Sequence, residues 1–360
     1  MAHEITQRAD GFAEMAYVGG VPWHGLGQAL EEGASIEEWR KAAGMDWEAL
    51  RAPVQFRVPA EVTGAPYASD CTMDERHVIY RSDTLAPLSV VSDKYEIFQP
   101  ADVLGYFDAM AKSAGLSLET AGTLFGGKRF WALAKIGEGS AFDPDDIVEG
   151  RLLLATSVDG TIATTAKIVH TRVVCNNTLT FALNSGSEKG RVARIVHSEA
   201  VTGEKINAKL GVKVPLAQQF DDQMALLRAL AATEVRDADL ARASVALFHR
   251  GERDADAFRK TISMKGVKES AAMAIQRAQI GAELAGMDHT PYGWLNAVTQ
   301  QADHMTAART EDRRMERALF GNGERHKERA VKIARQMADG TFTYELEGIS
   351  DKELLDLILA

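Results

Sequence analysis

The spacing of hydrophobic positions changes character near Pro215. Upstream, short apolar runs are bounded by turn residues, as in strands; downstream, apolar residues recur three and four apart, as in helices with one buried face. Two upstream pairs of runs read as hairpins. Residues 118–125 and 128–136 flank Gly126-Gly127, which can take the positive φ of a tight primed turn, and residues 151–158 and 161–169 flank Asp159-Gly160, the stronger of the two turn signals. With a two-residue first turn, Trp131 falls opposite Gly122, where a bare glycine leaves the indole room, and Arg129 and Lys135 share its face. A strand over 88–91 precedes a helix over 101–114, and Asn176 or Asn177 is placed to cap a further helix reaching about residue 184.

Beyond Pro215, Leu216, Phe220, Leu227 and Leu230 mark a first amphipathic helix, and stretches 238–249, 271–285 and 294–317 suit others. The first 60 residues read as an irregular arm with one helix over 36–43, opened by Ser35 as N-cap. Pro22-Trp23-His24-Gly25-Leu26-Gly27 signals turns in that arm, with Trp23 expected to pack it onto the body. The fold class is therefore α+β: an antiparallel sheet built from hairpins and packed with helices, followed by a mainly helical C-terminal region. The division expected is an arm at 1–60, an α+β core at 61–213 and a helical region at 214–360.

Composition is that of an ordinary globular protein, with 46% hydrophobic and 26% charged residues. Only Cys71 and Cys175 are present, far apart, so neither a disulfide framework nor a four-thiolate zinc site is available. That usage points to a reduced compartment, the cytoplasm. A charged N-terminus without an apolar core and the lack of any window near the roughly 20 apolar residues of a membrane span lead us to expect neither export nor insertion.

Charge changes the picture. The chain carries −10 overall, which argues against a nucleic-acid partner, yet residues 160–213 hold eight basic and three acidic side chains and are locally +5.

Five motifs resemble the phage/plasmid-like proteins grouped as domain-of-unknown-function family 932: Pro22-Trp-His-Gly-Leu-Gly27; Tyr80-Arg-Ser-Asp-Thr84; Val90-Val-Ser-Asp-Lys-Tyr95 with Gln99; Ala121-Gly122 with Phe130-Trp131; and Arg172-Val-Val-Cys-Asn-Asn-Thr-Leu179. A weaker echo follows at Trp294-Leu-Asn-Ala297, Asp303-His304 and Gly321-Asn-Gly323. The resemblance implies a setting on mobile elements, where recombination, single-strand handling and replication genes are common. A hairpin-built sheet backed by helices is also broadly similar to single-strand annealing proteins, which work as rings or filaments; that step is an analogy of fold.

Single-stranded nucleic acid is held by a cationic groove that follows the phosphates and by aromatic rings on which bases stack. Lys128, Arg129, Phe130, Trp131 and Lys135 on the first hairpin, with Lys167, Arg172, Lys189, Arg191 and Arg194 further on, supply both kinds of side chain. The competing reading makes Phe130 and Trp131 core residues and the charges a solvated edge. With a two-residue second turn, Lys167 shares a face with Leu152, Leu154, Thr161 and Thr165, so the sheet is covered on both sides or strongly bent.

His170, Cys175, Asn176 and Asn177, with Arg172, form a candidate pocket, in which a thiolate beside an imidazole is a workable nucleophile; a small buried cysteine is the commoner outcome. Asp143, Asp145 and Asp146 lack the glycine and distal glutamate of a calcium loop and read as a solvated turn, and Arg309 to Arg335 reads as a salt-bridged helix surface. No phosphate loop, H-E-x-x-H helix or G-x-S-x-G elbow occurs. The expectation is thus a phage- or plasmid-encoded single-stranded DNA binding and annealing protein without cofactor or metal. It is expected to be homo-oligomeric, with phage or host recombination factors as partners. The alternatives are an enzyme of nucleic acid or a small metabolite using the candidate pocket, and an interaction factor acting through its C-terminal helices.

Overall fold

The computed structural model describes residues 6–8, 10–22, 25–64, 66–113, 115–143, 146–162, 164–172, 178–181, 193–195, 216–249, 251, 254–276, 287–307 and 321–360. The chain divides into two compact units. The first comprises Met1–Lys135, Leu152–Lys167 and Ala182–Lys213; the second comprises Ile136–Arg151, Ile168–Phe181 and Val214–Ala360. Mixed sheets with antiparallel hairpins and a mainly helical C-terminal region make the fold α+β.

The larger sheet is built from β1 (Met15–Val18), β2 (Gln28–Leu30), β6 (Leu118–Leu124), β7 (Arg129–Asp143), β8 (Asp146–Ser157), β9 (Thr164–Arg172), β10 (Thr178–Phe181) and β11 (Ala193–Ile195). Its order is β10-β9-β8-β7-β6-β1-β2, with β11 also on β9. β1 runs parallel to β2 and antiparallel to β6. A three-stranded antiparallel sheet, β3-β4-β5, uses Ala49–Val58, Ser69–Arg81 and Pro87–Ser92.

In the first unit, α1 (Ile36–Ala42) starts where its sequence indicates. Ser35 accepts from the Glu38 amide while Glu38 reaches back to the Ser35 amide, a closed capping box. A one-turn helix α2 (Ala60–Thr63) lies between β3 and β4, and α3 (Pro100–Ser113) buries Val103, Leu104 and Phe107. The register of β6 on β7 sets Gly122 opposite Trp131 as expected, but the reason for the glycine is different. A Cβ at Gly122 would lie 2.7 Å from the backbone oxygen of Glu14, so the position admits close approach of β1 and not the indole.

Two expectations are corrected here. The second hairpin does not close in two residues, because β8 ends at Ser157 and β9 begins at Thr164. Asp159 instead forms a side-chain turn, accepting from the amide of Thr161 at 2.9 Å. The helix expected after Asn177 is, over Thr178–Phe181, a strand registered on β9 from Thr171 to Ile168. Thr-Leu-Thr-Phe alternates β-branched and bulky residues at period two, and this pairing overrides the local capping signal.

In the second unit, helices follow in the order α4 (Leu216–Ala231), α5 (Asp237–Phe248), α6 (Ala255–Ile262), α7 (Lys265–Gln276), α8 (Pro291–Gln300), α9 (Asn322–Ala338) and α10 (Asp351–Leu359). Val245 of α5, Phe258 of α6, Val267 of α7 and Leu354 of α10 meet in one apolar cluster. A polar knot crosses this interior: Trp294 Nε1 and Ser270 Oγ both donate to Ser244 Oγ, at 2.8 and 3.1 Å, so each buried donor is satisfied. The helix expected over 294–317 begins earlier, at Pro291 behind the Thr290 N-cap, and passes into a π turn at Gln301–Met305.

Candidate functional site

The β6–β7 hairpin turns through Phe125, Gly126 and Gly127, all at positive φ (56°, 68° and 93°). A Cβ at Gly127 would stand 2.6 Å from the Trp47 ring and 2.9 Å from Arg81 Nη1, so the turn is shaped around those two side chains. Arg81 is the centre of a buried ionic network. Its Nη1 and Nη2 donate to the two oxygens of Glu14 at 3.2 and 2.9 Å, its Nε and Nη2 to the two oxygens of Asp83 at 2.9 and 2.8 Å, and Nη1 also to the Gly126 carbonyl at 3.0 Å. The guanidinium lies 4.4 Å from the Trp47 ring centre. Glu14, fully buried, also accepts from Arg8 Nε at 2.7 Å and from the Thr123 hydroxyl. Burial alone would pull the guanidinium down, but the hydrogen bonds it donates to Asp83 and Glu14 outweigh it and hold Arg81 above its usual range. The same bond from Arg81 holds the Asp83 carboxyl below its ordinary value.

The aromatic residues of the expected interface belong to this interior. Phe130 is wholly buried and packs at 5.9 Å, tilted, on Trp47; Trp131 is 6% exposed. Strand β7 is buried on both faces, from Arg129 through Ala132, so neither ring offers a face on which a base can stack. Arg129 is also buried: its guanidinium lies 4.7 Å from the Phe125 ring, and its Nε and Nη2 donate to Thr161 Oγ1 at 3.3 and 3.1 Å. Lys128 and Lys135 are half-buried.

The remaining basic positions fall on β9, β11 and their surroundings. Lys167 and Arg172 lie in β9, and Arg194 in β11 registers with Thr165, two positions from Lys167. Lys189 and Arg191 lie outside the described residues, as do Cys175, Asn176, Asn177, Asp145 and the Trp23-His24 pair of the arm. His170 is described and is 1% exposed, stacked at 5.2 Å and 14° on Phe220, whose ring fills the space a Cβ at Gly150 would need. Burial pushes its imidazole down to about 3, so it is neutral at physiological pH.

Several residues of the sequence motifs hold backbone in place, a role that reading by charge and aromaticity missed. Gln99 brackets the start of β3, accepting from the Ala49 amide at 2.9 Å and donating to its carbonyl at 3.0 Å. Tyr95 donates to the Ser157 carbonyl at 3.4 Å, Ser89 to the Asp159 carbonyl at 3.3 Å, and together they clamp the Asp159-Gly160 turn. Burial, with the charge of Asp159 added, pushes the Tyr95 phenol up to about 12. In the second unit Lys327 Nζ donates to Asp303 Oδ1 at 2.7 Å, both side chains being buried, which ties α9 to the π turn. Thus the basic helix surface expected to 335 contains one lysine turned to the interior.

Among the described residues, no three His, Cys, Asp or Glu side chains converge as a metal site, and no helix is long and apolar enough to cross a membrane. Comparison with curated proteins and with solved structures gives no match in either case. The sequence model of one family, Domain of unknown function (DUF932), matches residues 87–320. That span takes in the clamp at Tyr95 and Gln99, the β6–β7 hairpin and the π turn with Asp303. It covers well over half of the sequence, and the chain therefore belongs to the family Domain of unknown function (DUF932).

Proposed function

We propose that this protein holds single-stranded nucleic acid by its phosphates, along the basic segment 160–213, and serves as a binding and annealing protein in phage or plasmid recombination or replication. The observation that carries the reading is the charge distribution: this one segment is +5 in a chain of −10, so the rest of the molecule repels a polyanion that the segment attracts. The pairing of β11 on β9, which brings the Arg194 position within two residues of Lys167, supports it. Because Phe130 and Trp131 are core residues, the contact proposed is electrostatic and does not rely on stacking, which makes it tolerant of base sequence and steeply dependent on salt. The enzymatic alternative gains nothing from His170, whose ring is enclosed and neutral. A titration of fluorescein-labelled oligo-dT by anisotropy tests the proposal. Binding at about 50 mM salt that weakens by at least about tenfold at about 200 mM is expected, and no binding at the lower salt overturns it.

A further inference from the structure

The β3–β4 hairpin reaches well past its third strand. β5 pairs with β4 only from Arg76 to Tyr80, so the distal pairing, Val54–Val58 against Met73–Ser69, is a two-stranded ribbon. Between the two parts the register jumps: Pro53 pairs with His77 and Val54 with Met73, which leaves Asp74, Glu75 and Arg76 inserted in β4, with Glu75 at φ 61°. A proline on an edge strand and an inserted segment are devices that bend a ribbon away from its sheet.

The ribbon is two-faced. Directly opposed residues share a face in an antiparallel pair, so Val54 and Met73, Phe56 and Cys71, and Val58 and Ser69 line one side, while Gln55 and Thr72, and Arg57 and Asp70, line the other. The first side is apolar yet uncovered: Phe56 is 49% and Met73 47% exposed; beyond the paired strands, in the connection from β3 to β4, Val62 and Tyr67 are 75% and 80% exposed. A two-stranded hairpin is at best marginally stable in water unless its apolar face is packed. These four side chains leave on the order of 500 Å² of apolar surface, the size of the largest patch on a typical monomer.

From this we infer that the apolar face of the β3–β4 ribbon is the contact between two copies of this chain, packed ribbon on ribbon about a two-fold axis. Three observations select a second copy as the occupant. Arg57, the one basic side chain of residues 54–73, lies 3.9 Å from Asp70, and Glu61 leaves the ribbon at −1, so nothing there attracts a polyanion or an anionic membrane. An apolar face with so few charges matches the composition of homodimer interfaces. With the half-buried Val54, Val58 and Cys71 and the polar rim added, the ribbon approaches the roughly 800 Å² per partner of a standard interface. The inference is independent of the nucleic-acid reading.

Sedimentation velocity of the full chain across a concentration series tests it. The wild type sediments as a dimer or a higher even-numbered assembly. Phe56→Glu with Met73→Glu raises the dissociation constant at least about 30-fold, whereas Gln55→Glu with Thr72→Glu, on the opposite face, leaves it within about threefold. Val62→Ser with Tyr67→Ser at the tip, a milder change, weakens association in the same direction. A wild type that is monomeric throughout, an assembly untouched by Phe56→Glu with Met73→Glu, or equal loss from both faces overturns the inference. So does a monomer that floats with phosphatidylcholine vesicles through Phe56 and Met73, which would give the face to lipid.

Discussion

Replacing Glu14 by alanine removes the carboxylate on which Arg81, Arg8 and Thr123 converge. Breaking a buried ion pair by deleting one partner costs about 3–5 kcal/mol, because the other charge is left in the interior. Arg81 would keep both bonds to Asp83 and the one to the Gly126 carbonyl, so Glu14→Ala belongs at the lower end, about 3 kcal/mol. Arg81→Ala is worse. It strands a fully buried Glu14 with Arg8 and Thr123 alone and removes the cation over Trp47, for about 4–5 kcal/mol. Each change destroys the same contact, so the double variant should be about 2 kcal/mol less destabilised than the sum of the singles. Urea unfolding followed by tryptophan fluorescence measures this, with Trp39, Trp47 and Trp131 all in the first unit. A chain of two units need not unfold in one step, so the shift is read on the transition that responds. A Glu14→Ala cost below about 1 kcal/mol, or strict additivity, would refute the claim that this network organises the hairpin turn.

Gly122→Ala forces a Cβ to within 2.7 Å of the Glu14 backbone oxygen and should destabilise by about 2 kcal/mol in the same assay; a neutral effect would mean that β1 does not approach so closely. His170 titrates near 3 when folded and near ~6.5 when unfolded, so between those values the unfolded chain binds the proton and stability falls as pH falls, by about 1.4 kcal/mol per unit. His170→Phe should flatten that part of the urea-midpoint profile, and an unchanged slope would contradict the enclosed, neutral ring. Trp131→Phe should lower stability by about 1–2 kcal/mol while leaving oligonucleotide affinity as it was, whereas lost affinity in a folded variant would restore a stacking role for the indole.

Features whose cause is local were legible in the sequence. Ser35 and Glu38 close the capping box that their spacing suggests, and Gly126-Gly127 turns the chain in the register that puts Gly122 against Trp131. Features decided by distant chain were not. The alternation of Leu50, Ala52, Val54, Phe56 and Val58 is a strand signal, but Pro53 interrupts it, and only the edge position of β3 makes that proline tolerable. Thr178–Phe181 follows two asparagines that favour a helix cap, and pairing with β9 decided otherwise. Exposure of the expected interface was the least legible. Alternation distinguishes an inside from an outside only where one face of a sheet meets water, and in β7 and β8 successive residues, Phe130 to Ala132 and Leu152 to Thr156, are all buried. The ionic network at Arg81 joins β1, β4 and the β6–β7 turn, residues 67 and 45 positions apart, a convergence that no window of sequence displays.

The proposal that phosphates are held by the 160–213 segment is tested most directly by the salt dependence of oligo-dT binding in two proteins, the wild type and a variant with Lys167, Arg172, Lys189, Arg191 and Arg194 all changed to alanine. Each phosphate contact on a single strand contributes about −0.7 to the slope of log affinity against log salt, so loss of these five makes the variant's slope shallower by about 3.5, leaving only what Lys205, Lys209 and Lys213 contribute. Equal slopes in the two, with both proteins folded, would contradict the account.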